Sequence, residues 1–75
     1  MNTKEEANTH DILSKREIEI LVMFANGFIN KEIADRLFIS IRTVESHKNH
    51  IMQKLNLKTQ VELLKYAIRH NLINI

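Results

Sequence analysis

The stretch Phe38–Leu55, FISIRTVESHKNHIMQKL, runs for about four to five helical turns without a Gly or Pro, and it constrains the fold more than any other part of the chain. Ser40 opens it as a helix cap, its hydroxyl placed to accept from a free N–H in the first turn. At helical spacing the stretch divides into three stripes. Val44, Ile51 and Leu55, with Ile41 and Met52 beside them, form an apolar stripe interrupted at Lys48. Arg42, Glu45, Ser46, Asn49 and Gln53 form a polar stripe of hydrogen-bonding side chains, and Thr43, His47, His50 and Lys54 form a third stripe of donors and cations. Anchored by its apolar side, such a helix presents a face suited to base edges in a major groove. An ordinary amphipathic helix with a solvated back is the plainer interpretation. Three features favour the first reading: Asn, Ser, Gln and His on the polar face instead of a Glu/Lys mixture, a short helix just upstream, and an uneven distribution of charge.

Composition limits the alternatives. Seventy-five residues make one domain, near the lower size limit for a single core. No Cys is present to add a disulfide or a thiolate–metal site, and zero Pro with one Gly favours helix throughout. No apolar run approaches the roughly 20 residues that span a bilayer, and residues 1–11 carry no hydrophobic segment of the kind a signal peptide needs. The expectation is a soluble, cytoplasmic, all-α domain: a compact four-helix bundle containing a helix-turn-helix. Net charge is +2, distributed as −2 over residues 1–37, +3 over 38–58 and +1 over the remainder. The basic surplus lies on the stretch that would face a partner, which points to a polyanion.

Residues 1–11 read as a disordered tail or linker end, and residues 12–75 as the domain. A first helix is predicted over Lys15–Asn26, with Ser14 and Glu17 forming a capping box, Leu13 and Ile18 a hydrophobic staple, and Gly27 the left-handed stop. Ile20, Leu21 and Phe24 form its core face, extended by Ala25 and Phe28, while Ile18 and Val22 point away. A second helix is predicted over Lys31–Phe38, capped by Asn30, with Ile33, Ala34 and Leu37 inward. The tight Ile39-Ser40 connection makes it and the Phe38–Leu55 helix a helix-turn-helix pair. After a left-handed Asn56, Leu57 packs back on the core, and Thr59 with Glu62 caps a fourth helix running from Gln60 to about His70. Leu63, Tyr66 and Ala67 should pack inward. Val61, Leu64 and Ile68, with Lys65 beside them, occupy a second side suited to an identical helix across a two-fold axis.

These residues carry a family resemblance. Leu13-Ser14, Arg16-Glu17, Ile20-Leu21, Ala25, Gly27, the run Asn30–Ala34, Leu37, Ile39-Ser40, Thr43-Val44, His47, Ile51, Lys54-Leu55 and Glu62 together resemble the LuxR/NarL/GerE-type helix-turn-helix domain over roughly residues 12–70. The resemblance implies a bacterial transcription regulator that binds double-stranded DNA, either standing alone or as the output domain of a response regulator. It also implies a recognition helix at about 41–55 in the major groove, a homodimer formed on DNA through the fourth helix, and RNA polymerase as a further possible partner. By position it makes Glu45, Ser46 and Asn49 base-reading and Thr43, Lys54 and Lys58 backbone-contacting. The stripes add Arg42 to the first set and His47 and His50 to the second; Lys48, at a position that the resemblance makes apolar in many members and basic in others, joins the second set and is expected to reach phosphate and not the core. Val61, Leu64, Lys65 and Ile68 make the dimer face. Gln60, where the family usually has Arg, and Leu63, where a small residue is usual, depart from the pattern.

Other chemistry finds little support. His47 and His50 share a helix, but no Cys or paired carboxylate completes a metal shell. There is no Gly-rich phosphate loop and no nucleophile–base pattern. The expectation is therefore no catalysis, no metal, no cofactor and no small-molecule ligand. The alternative from a different class is a protein-interaction module, or a sigma-factor-like module touching DNA and polymerase.

Overall fold

A computed structural model describes residues 9–72. It contains α1 (Thr9–Ile12), α2 (Lys15–Ala25), α3 (Asn30–Leu37), α4 (Ile41–Leu55) and α5 (Gln60–Arg69), and no strand among the described residues. The four predicted helices are α2 to α5. The single turn α1 includes residues assigned from sequence to the tail; the remainder of that tail, residues 1–8, lies outside the described residues.

The helices begin where local chemistry directs. At α2, Glu17 N–H donates to Ser14 Oγ at 3.1 Å and Ser14 N–H to Glu17 Oε1 at 2.8 Å, completing the capping box. At α5, Thr59 and Glu62 make the same reciprocal pair, both at 3.1 Å. Ser40 Oγ accepts from Thr43 N–H at 3.0 Å at the start of α4. The start of α3 differs from expectation. Asn30 is not its cap; the helix begins at Asn30 itself, and Ile29 N–H donates to the Glu32 carboxylate at 2.9 Å. Asn30 directs its side chain elsewhere, as described below.

The C-terminal ends of α2 to α5 share one closure. A residue at positive φ (Gly27, Phe38, Asn56 or Asn71) is followed by an apolar residue whose N–H reaches back five positions. The bonds are Phe28 to Met23, Ile39 to Ala34, Leu57 to Met52 and Leu72 to Ala67, at 2.9–3.1 Å. These satisfy carbonyls that each helix end would otherwise leave open. The four following residues also pack on the core. Each closure therefore turns the chain and adds an apolar contact in one step.

The core gathers Leu13, Ile20, Leu21, Ile33, Ala34, Val44, Ile51, Leu63 and Ala67 from α2–α5 and the α1–α2 turn. Burying each Leu or Ile contributes roughly 1.5–3 kcal/mol. Helix α2 lies centrally and packs against α3, α4 and α5, while α3 packs against α4. Two expectations need correction here. Ile18 does not point away but is half-buried against the core. Ile41, placed from sequence with the apolar stripe, is the first residue of α4 and is 44% exposed, outside the residues packed on the core.

Candidate nucleic-acid interface

Helix α4 is held on α2 and α3 by Val44, Lys48 and Ile51, which are buried, and by Met52 and Leu55, which are half-buried. Arg42, Glu45, Ser46, Asn49 and Gln53 are all solvent-exposed on its other side. Of the flanking residues, His50 is exposed, and Thr43 and His47 are half-buried. The Thr43 hydroxyl lies 2.8 Å from Ser40 Oγ, which orients it at the helix entry. The structure thus brings the four predicted base-reading residues onto one open surface.

Lys48 corrects the sequence reading most clearly. It is only 9% exposed, and its ammonium turns back onto the domain. It donates to Asn30 Oδ1 at 3.0 Å and to Gln60 Oε1 at 3.4 Å, and sits 4.5 Å from the centre of the Phe24 ring. Two amide oxygens and an aromatic face replace its water. Burial holds its pKa below the ordinary lysine value, while the charge of Glu45 pushes the other way. One side chain on α4 thereby ties the N-terminal ends of α3 and α5 to α2. Its occupation explains why Asn30 does not cap, and it gives Gln60 a role at the position where the resembling family usually carries Arg. A cleft of about 340 Å³ borders this cluster between Phe24, Phe28 and Gln60.

Lys54 and Lys58 lie towards the far end of α4. Lys54 Nζ is 2.8 Å from Glu17 Oε1, the oxygen that also accepts from Ser14 N–H. Glu17 is buried, which raises its pKa. Hydrogen bonds from Lys54 and from the Ser14 N–H, with the Lys54 charge, outweigh that and hold it below the usual glutamate value. Lys58 has an exposed side chain, and its N–H donates to Glu62 Oε1 at 2.6 Å. That bond, with the one from Thr59, lowers the Glu62 pKa.

On α5, Leu63 and Ala67 are buried and Tyr66 is packed against the core, as expected. Val61, Leu64 and Ile68 are 62%, 36% and 43% exposed, and Lys65 beside them is exposed. Among the described residues, no group of three or more His, Cys, Asp or Glu could hold a metal ion, and no helix is long and apolar enough to cross a membrane.

Sequence reasoning missed the inward Lys48 and the buried Glu17. The first had a signal: Lys48 stands four residues after Val44 and three before Ile51, squarely on the apolar stripe. The second had none beyond its capping role, because its partner Lys54 is 37 positions away.

A short helix, a three-residue turn and a longer helix with a core-bound side and an open polar side define a helix-turn-helix module. Residues 11–67 match GerE, the luxR family of bacterial regulatory proteins. The chain belongs to this family of DNA-binding transcription regulators. It is 57% identical over 77 aligned residues to oxygen regulatory protein NreC of Staphylococcus carnosus, covering 97% of this chain and 36% of that protein. It is 53% identical over 75 residues to NreC of Staphylococcus aureus strain RF122, covering 96% of this chain and 35% of that protein. The chain therefore spans about a third of the length of these relatives.

Proposed function

We propose that this chain is the sequence-reading module of a bacterial transcription regulator, with α4 in the major groove of double-stranded DNA. The observation that carries the reading is the division of α4: Val44, Lys48 and Ile51 fixed in the domain, Arg42, Glu45, Ser46 and Asn49 open on the opposite side. Glu45 accepts from a cytosine amino group, Asn49 pairs with adenine and Arg42 with guanine. Thr43, His47, His50, Lys54 and Lys58 flank that face and meet the phosphate backbone. Lys48 leaves this set, since its ammonium is already held inside.

Two copies pair through Val61, Leu64, Lys65 and Ile68 on α5, which are open to solvent and unused by the core. Pairing sets two copies of α4 about one helical turn apart and requires two half-sites. The partial coverage of the NreC proteins supports an output module within a longer response regulator. Selection from random duplex DNA tests the reading: it yields a two-half-site consensus, and recovery of unenriched random sequence refutes it.

A further inference from the structure

Large apolar side chains stand on both sides of the turn into α4. Phe38 is 93% exposed and Ile41 is 44% exposed. Phe38 holds φ +60°, the position that Gly27, Asn56 and Asn71 fill at the other helix ends. Its ring is thereby kept outside, and Ile39 takes the inward place. Nothing in the structure shows what covers Phe38, and the inference concerns Ile41. That residue is the first of α4, adjoining exposed Arg42 and one turn ahead of exposed Glu45.

Helix-turn-helix proteins present the first residues of the recognition helix to base edges. A branched aliphatic side chain there makes no hydrogen bond. The feature of a major-groove edge that it recognises is the thymine C5 methyl group. We infer that Ile41 is a specificity-determining residue that selects a thymine by packing on that methyl, beside the hydrogen-bonding readers. The inference rests on the placement of α4 in the major groove proposed above.

The test uses the duplex obtained by selection, with its thymines replaced singly by deoxyuridine, which removes only the methyl. At one position the replacement weakens wild-type binding about four-fold, the scale of one buried methyl group. The same replacement leaves Ile41→Ala unaffected. Ile41→Gln, which retains good helix propensity, gives the same insensitivity should the alanine variant fold poorly by circular dichroism. Insensitivity of the wild type to every replacement overturns the inference, as does equal sensitivity in both variants. Failure of the groove placement itself is distinguishable, because Glu45→Ala and Asn49→Ala then also leave base preference unchanged. If Ile41 alone is misassigned, those two variants still relax it.

Discussion

Lys54, near the end of the helix proposed to read DNA, places its ammonium 2.8 Å from the buried carboxylate of Glu17 at the start of α2. The pair joins the outer end of α4 to the capping box that starts α2, so one carboxylate serves both. The depressed pKa of Glu17 gives the pair a pH signature. The unfolded chain holds this proton more tightly, so the stabilisation is fully present above the ordinary glutamate value of about 4.3. It is lost as pH falls through the lower folded value. Urea midpoints of the wild type should drop over that acid range, and Glu17→Gln should lack this component of the drop. Lys54→Ala should cost about 1 kcal/mol at neutral pH, since solvent screens a lysine side chain that is 44% exposed. A variant with wild-type stability would show that the pair contributes nothing.

The buried Lys48 separates packing from charge. Lys48→Met keeps the aliphatic stem over Phe24 and removes a desolvated cation, so stability should be unchanged or higher. Lys48→Ala removes the stem as well and should cost about 2 kcal/mol. Because burial lowers the lysine's pKa, the unfolded chain binds its proton more tightly at high pH. Wild-type stability should therefore rise relative to Lys48→Met as pH approaches the free lysine value of about 10.4. Chemical unfolding from neutral to alkaline pH measures both effects. Equal losses for Met and Ala would mean that the bonds to Asn30 and Gln60 outweigh the cost of burying the charge.

The α5 face makes a prediction about assembly. Leu64→Glu should leave the circular dichroism spectrum and unfolding midpoint nearly unchanged, because the side chain is at the surface. The same variant should occupy two half-sites independently where the wild type occupies them cooperatively. Loss of fold would place Leu64 in the core; retained cooperativity would move the pairing contact away from α5.

Phosphate contacts are read by salt. Each contact contributes about 0.9 to the slope of log K against log salt concentration. Lys58→Ala should flatten that slope by about this amount and weaken binding to all duplexes alike. Lys48→Met should leave the slope unchanged, since its ammonium faces Asn30 and Gln60. A change in preferred sequence with an unchanged slope for Lys58→Ala would remove it from the backbone set.

Much of this fold was legible in the chain because its signals are local. Ser14 with Glu17, Ser40, and Thr59 with Glu62 each mark a helix start within four residues, and Gly27 and Asn56 mark two stops. The open face of α4 followed from periodicity alone. What escaped depended on distant partners. Asn30 looks like a cap until Lys48, 18 positions on, claims its side chain. Phe38 has no local reason to adopt a left-handed backbone, and does so because Ile39 is drawn to the core. Ile41 has the right spacing for burial, but at the first position of α4 it stays exposed.

The central claim is that the open face of α4 distinguishes one DNA sequence from another. A competition titration of wild type, Glu45→Ala and Asn49→Ala, on the selected duplex and on a scrambled duplex of equal length and salt, tests it most directly. The account predicts that each substitution costs about 1–3 kcal/mol on the selected duplex and much less on the scrambled one. Equal losses on both duplexes, or equal wild-type affinity for both, would contradict it.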